Sequence, residues 1–327
     1  MKRITKKLGL LVVGVTSLSL AACSGGTTTG GSSASTGGDD QITIGASLLT
    51  QSHPFYNTVR EAMESQAKTD GVDLTISIAD QDLNKQIAQV EDFINRNVDV
   101  IVLSPVDSDG VVGAIKKAED AGIPVVTVDV PANGVEVASH VATDNYHGGM
   151  IAAAAMSHYI NDSGNIGLIT YPEVQSVRDR IDGFKAELAN HPNMKVAIEN
   201  PGRDRAAALK TSEDMLTSNP DLAGIFGFGD DMALAATQAV KDANSNAVVI
   251  GFDGMAEAKA SVDQDNAFKA VVVQDATKMG EVAVTNSEKI AKGEDVEKTT
   301  PITPTLYANG QGDVPVTIDG DKITINW

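Results

Sequence analysis

The 327-residue chain is poor in sulfur, in aromatic rings and in positive charge. Cys23 is its only cysteine, so no internal disulfide can form and the folded body is held by its core alone. Phe, Trp and Tyr make up 4% of the residues, which makes any cluster of them informative. Twenty-five basic residues stand against 44 acidic ones, a net charge of −19. That field repels nucleic acid and anionic lipid headgroups, and excludes functions built on binding either. Beyond the first 22 residues, no run approaches the roughly 18 apolar residues that a membrane-spanning helix needs. Reactive motifs are missing too. The five histidines, His53, His140, His147, His158 and His191, are not at metal-ligand spacing. There is no P-loop, no Gly-x-Gly-x-x-Gly after the first strand and no Gly-x-Ser-x-Gly elbow. No metal, cofactor or catalytic set is therefore expected.

What is present begins with a leader. Lys2, Arg3, Lys6 and Lys7 precede the apolar "LGLLVVGVTSLSLAA", and Leu20-Ala21-Ala22-Cys23 follows, in the order of an export signal. The tetrad resembles a bacterial lipobox, which implies that residues 1–22 are a cleaved signal and that Cys23 carries a lipid. Residues 23–40 are nearly all Gly, Ser and Thr. They bury too little surface to offset their ordering entropy, so a flexible tether is expected. The body would then sit at the outer face of the cytoplasmic membrane, held there by its anchor.

The remaining residues exceed the usual single-core size and predict two lobes. "ITIGASLL", "DLTISIAD", "DVIVLSP" and "IPVVTVDV" are short, rich in Val and Ile and apolar on both faces, as parallel strands covered by helices are. Amphipathic helices are predicted between them near 57–70, 85–97 and 109–121, with Gly71, Asn97 and Gly122 placed as C-terminal caps. The pattern repeats after "HVATDN". Strands "NIGLITY", "KVAIEN", "AGIFGFG", "AVVIGFDG" and "FKAVVVQD" alternate with helices near 147–160, 178–189, 205–218 and 232–242. A last helix near 278–292 precedes a Pro- and Thr-rich stretch and then "VPVTIDGDKITINW", which reads as a hairpin about Asp319-Gly320. The economical architecture is α/β: two doubly wound, Rossmann-like lobes facing across a cleft.

Ligands in open α/β sheets bind at the carboxyl ends of the strands. Four strand ends carry polar or aromatic residues: Asp129, Asp253, Gln274, and the group Ser52, His53, Phe55 and Tyr56. Each alone would serve as a cap or turn residue, and Phe55 and Tyr56 alone would fill core. Contributed together by both halves, they point to one shared cleft. Carboxylates accept hydroxyl hydrogen bonds, an amide both gives and accepts, arginine donates in a fork and an aromatic face covers the C–H side of a ring. This set suits a neutral polyol. The candidate arginines are Arg178, Arg203 and Arg205, each of which has a salt bridge to the adjacent Asp179 or Asp204 as its structural alternative.

The segments "HPFYNTVREAM", "NVDVIVLSPVDSDG", "AGIPVVTVDV", "SHVATDNYHGG", "RIDGF", "DDMALAATQAV" and "VVIGFDG" resemble, in number and order, the type I periplasmic binding proteins of the ribose-binding kind. The resemblance runs from about residue 41 to 293. It implies a three-crossing hinge near residues 142–143, 274–275 and 303, with one lobe from 41–142 plus 275–303 and the other from 143–274 plus 304–327. It also implies ring-flanking roles for Phe55 and Tyr56 and hydroxyl-binding roles for Asp129, Arg178, Asp253 and Gln274. The chain departs from the ribose-binding pattern at His53 (Asn there), Val130 (Arg), Gly229-Asp230-Asp231 (Asn-Asp-Glu) and Arg203 (Phe). Ribose itself is therefore not assumed. Arg203 is expected to replace donors lost at Val130, and Gly229 to make room for a different or larger polyol.

The function implied is a monomeric, lipid-anchored solute-binding protein that captures a monosaccharide or polyol by lobe closure and delivers it to an ABC permease. A receptor of the same fold reporting to a membrane sensor kinase is the alternative from another class. A secreted enzyme that assembles a Ser/His/Asp set from distant positions is a third, and it predicts turnover of the bound ligand.

Overall fold

A computed structural model describes residues 41–264 and 266–327. The expected signal, the lipidated Cys23 and the tether lie outside the described residues.

The first sheet is built from β1 (Thr43–Leu48), β2 (Asp73–Ile78), β3 (Val100–Leu103), β4 (Val125–Val128) and β5 (Ser139–Thr143). Helices α1 (Pro54–Asp70), α2 (Leu83–Asn95) and α3 (Val112–Asp120) connect the first four. Every residue of β3 and β4 is buried, as expected for strands covered on both faces. Helix α1 starts three residues earlier than its apolar period suggests, because Pro54 at its first position is already set to the helical φ and the His53 ring accepts the Phe55 N–H. Phe55 and Tyr56 thereby fall in the first helical turn, at the mouth of β1. The helix stops at Gly71, whose φ of 72° is left-handed, and Asn97 and Gly122 likewise adopt positive φ before β3 and β4.

The second sheet takes β6 (Gly164–Thr170), β7 (Met194–Pro201), β8 (Leu222–Gly227), β9 (Val248–Asp253) and β10 (Phe268–Val273). Helices α4 (Asn145–Ile160), α5 (Gln175–Glu187), α6 (Arg205–Ser218), α7 (Asp230–Asp242) and α8 (Ala256–Val262) accompany them. The short α8 has no counterpart in the sequence expectation. Helix α9 (Ala276–Ala291) then returns to pack on α1, β3, β4 and β5. It leads into β11 (Thr299–Ile302), which pairs with β5, before β12 (Thr305–Ala308) and β13 (Gly312–Val314) extend the second sheet. Pro301 is accommodated because β11 is an edge strand.

The strand orders are β11-β5-β4-β3-β1-β2, all parallel, and β13-β12-β10-β9-β8-β6-β7, antiparallel only at β12 and β13. The chain therefore passes between sheets three times: after β5, after β10 and after β11. The order reverses at β1/β3 in one sheet and at β6/β8 in the other, and ligands bind at such switch points. The terminal hairpin of β14 (Val316–Asp319) and β15 (Lys322–Ile325) lies against α4. Trp327 stacks on His158 with ring centroids 3.8 Å apart, and His147 Nε2 lies 3.0 Å from the Gly320 carbonyl oxygen.

Candidate functional site: the cleft between the sheets

The loops at the two switch points and the ends of β4, β9 and β10 enclose a cavity of about 110 Å³. His53, Phe55, Tyr56, Asp129, Arg203, Asp253 and Gln274 all line it.

Two aspartates mark the strand ends. Asp129 follows β4 with φ 65°, and Asp253 closes β9 with φ 100°. Backbone of this kind is costly for a residue with a Cβ and persists where its surroundings over-determine it. Asp253 is held firmly. Its Oδ1 accepts from Gln274 Nε2 at 2.6 Å and from Arg180 Nη1 at 3.3 Å, and its Oδ2 accepts from the Asp230 N–H at 3.4 Å. His53 Nε2 approaches the same Oδ2 to 3.5 Å and Asp231 Oδ2 to 3.9 Å. Because His53 Nδ1 accepts the Phe55 N–H, a neutral ring carries its proton on Nε2, facing these carboxylates. Asp129 is less occupied. Tyr56 donates its hydroxyl to Oδ2 at 2.6 Å, while Oδ1 is buried and has no hydrogen-bond partner among the described residues. Gln274 Oε1 is in the same condition.

Burial sets the electrostatics. It raises the Asp129 carboxyl to about 6, and the nearby Arg180 charge opposes the shift without cancelling it. Burial, then the Asp129 charge, pushes the Tyr56 hydroxyl upward. Asp230, whose carboxylate accepts the N–H groups of Gly254 and Met255, is raised by burial and then by Asp253.

The arginine in the cleft is Arg180, not Arg178. Two residues along a helix turn the side chain by about 200°, so the two point to nearly opposite sides of α5. Arg178 binds Gln175 and the Pro172 carbonyl and lies 3.6 Å from Asp109, outside the cavity. Arg180 is buried, donating to Asn145 Oδ1 at 2.8 Å and to the Phe228 carbonyl at 2.6 Å, with its guanidinium 3.8 Å from the Phe252 ring centroid. Its position depends on how α4 and α5 cross. A Cβ on Gly183 would lie 1.9 Å from the Tyr146 carbonyl oxygen, and one on Gly149 would lie 2.0 Å from that of Arg180. Only glycine permits this approach.

Arg203 is at the rim, its side chain 61% exposed and 3.7 Å from Asp204. Gly229 also lines the cavity, and a Cβ there would come within 3.1 Å of Asp253 Oδ2. Arg205 lies outside, paired with Asp231 and Glu257. The lining also includes Tyr171, Phe228 and Asp231, which sequence reasoning passed over. Tyr171 and Phe228 directly follow β6 and β8, and the strand-end rule applied to those two strands would have found them. Phe55 comes from the first sheet's side and Tyr171 and Phe228 from the second's, so aromatic rings flank the cavity from both.

Such a cavity can orient and enclose a small neutral molecule. Among the described residues, no group of His, Cys, Asp and Glu is arranged to hold a metal, and no helix is long and apolar enough to cross a membrane. A family model described as a periplasmic binding protein domain matches residues 44–295. The chain belongs to this family. The ribose import binding protein of Bacillus subtilis is 32% identical over 90% of this chain and 96% of its own length. A solved ABC transporter solute-binding protein from Mycobacterium smegmatis with bound glycerol is 33% identical, covers 83% of this chain and 95% of its own, and superposes with a TM-score of 0.78. A Bacillus halodurans solute-binding protein with bound myo-inositol is 27% identical over 84% of this chain and 96% of its own, also with a TM-score of 0.78. Periplasmic binding proteins of this kind have two lobes, and the chain is a binding protein and not an enzyme.

Proposed function

We propose that this chain captures a neutral monosaccharide or polyol and delivers it to an ABC permease. The observation that carries this reading is the pair of buried, unpartnered acceptors, Asp129 Oδ1 and Gln274 Oε1, on two residues that line a ring-flanked cavity fed by both sheets. A buried acceptor without a donor costs about 1–3 kcal/mol, and each ligand hydroxyl that donates there recovers part of that cost. The relatives named above bind ribose, glycerol and myo-inositol, which supports a polyhydroxylated ligand and favours transport over sensing. Asp129, Asp253, Gln274, His53, Phe55, Tyr56 and Arg180 form the proposed binding set, with Arg203 closing the rim. The lobes are proposed as 41–142 plus 275–303 and 143–274 plus 304–327, moving about the three crossings. The leader and Cys23 support a lipid anchor at the outer face of the membrane, and loss of membrane retention in Cys23→Ser checks it. A thermal-shift screen against pentoses, hexoses and polyols tests the main reading, because a ligand that binds only the native state raises its melting temperature. A panel without any shift would overturn it.

A further inference from the structure

Outside the cavity the two sheets' loops are joined by a compact polar patch. Ser108 and Asp109 follow β3, and Asn133 lies between β4 and β5. Glu173, Gln175 and Arg178 belong to the loop after β6 and the start of α5. None of the six lines the cavity. The Ser108 N–H donates to the Glu173 carbonyl at 3.1 Å, and Asn133 Nδ2 donates to Gln175 Oε1 at 3.2 Å and to Asp109 Oδ1 at 2.9 Å. Arg178 Nη2 lies 3.6 Å from Asp109 Oδ2. Most telling is the fully buried Ser108 hydroxyl, which accepts the Gln175 N–H at 3.0 Å. Helix α5 begins after Val174, which has no side chain able to cap it. Its first N–H is one of the orphan donors of any helix start, and here the cap comes from the opposite sheet.

We propose that this patch is a closure latch. Ser108 completes α5 only when the lobes are together, so the latch residues bias the chain toward the closed form and set affinity without touching the ligand. The affinity clause rests on the binding function proposed above, whereas the closure clause does not. When the binding-competent form is only partly populated, apparent affinity scales with that fraction.

The test uses dyes on cysteines introduced at Lys117 on α3 and Lys210 on α6, in a Cys23→Ser background, with the lobe distance read by single-molecule energy transfer. Ligand-free protein is expected to show a closed fraction. Ser108→Ala and Asn133→Ala should each lower the closed-to-open ratio about three- to tenfold, the size of a lost helix cap for Ser108 and of a lost hydrogen bond for Asn133, with unchanged melting temperature. A ligand-free protein that is wholly open, or a ratio unmoved in both variants, would overturn the latch. D-ribose, xylitol and myo-inositol are then titrated. For any that binds, the dissociation constant should rise in the variants by the factor by which closure falls. If none binds, the proposed function suffers, and the ligand-free ratio still decides the latch.

Discussion

Asp129 and His140 titrate in overlapping pH ranges with opposite effects on stability, and replacing either one exposes the other. Asp129 is raised from 3.8 to about 6 by burial. His140, whose Nδ1 lies 2.9 Å from the Thr127 hydroxyl, is lowered from 6.5 to about 4, again chiefly by burial. Between those limits the folded protein holds a proton on Asp129 that the unfolded chain releases, so Asp129 makes the protein more stable as pH falls from about 6 to 4. The unfolded chain binds a proton at His140 that the folded protein refuses, so His140 makes it less stable as pH falls from 6.5 to 4. At 1.36 kcal/mol per pKa unit, each contributes on the order of 3 kcal/mol. Asp230, also raised by burial, acts in the same sense as Asp129. Urea denaturation of ligand-free protein at pH 7 and pH 4.5 reads the balance. The Asp129→Asn variant should lose more stability on acidification than the wild type, and His140→Phe should gain. The reasoning fails if the wild type and both variants change in parallel. With ligand present, a hydroxyl donating to Asp129 Oδ1 favours the ionised carboxylate. Affinity should therefore fall below pH 6 in the wild type and stay flatter in Asp129→Asn.

Other substitutions probe single links in the same chain of reasoning. Arg180→Ala leaves Asp253, Asn145 and the Phe228 carbonyl without their buried donor and should cost about 3–5 kcal/mol in denaturant unfolding, whereas Arg178→Ala should cost under ~1 kcal/mol because its ion pair is solvated; equal costs would refute the assignment of Arg180 to the cleft. Gly183→Ala drives a Cβ into the Tyr146 carbonyl, so a loss of about 1–3 kcal/mol or more is expected, together with weaker ligand binding as α5 shifts. Arg203→Ala, tested by calorimetry with whichever ligand the thermal screen finds, should weaken binding by less than about tenfold, since the side chain is largely exposed; no change at all would remove Arg203 from the site.

Strands and helices were legible because both-face burial writes continuous Val and Ile runs, as in "DVIVLSP" and "IPVVTVDV", and Gly71, Asn97 and Gly122 mark the ends of the helices between them. The strand-end rule found Asp129, Asp253 and Gln274 for the same reason: each directly follows such a run. Arg180 was missed where Arg178 was chosen, since two arginines on one helix differ only in rotational phase. That phase is fixed by the Gly149 and Gly183 crossing, a tertiary contact that no local pattern announces. Strand β11 escaped because its threonines and Pro301 carry no apolar period, and its place is set by pairing with β5 more than 150 residues earlier. Tyr171 and Phe228 were passed over because the strand-end rule was applied to polar residues and to β1, and not to the aromatics that directly follow β6 and β8.

The two strand-end aspartates look equivalent in sequence, and both hold positive φ, yet the structure gives them different work. Asp253 receives Gln274, Arg180, the Asp230 N–H and the approach of His53, all from the protein itself. A carboxylate with this many donors is satisfied, and its strained backbone is offset by the partners it organises. Asp129 has one donor and one bare oxygen, so it gains most from a ligand hydroxyl. His53 sharpens the division. It brings a ring from the first sheet's side to two acids on the second's, and thus links Phe55 and Tyr56 to the Asp253 hub. Where the ribose-binding pattern places an amide, this chain places a ring whose Nε2 lies 3.5 Å from Asp253 and 3.9 Å from Asp231. In the proposed site, ligand selection would then fall to the acceptors without a protein donor, Asp129 Oδ1 and Gln274 Oε1. Because both are acceptors, the ligand expected from the proposed site is one that presents hydroxyl donors toward β4 and β10 together.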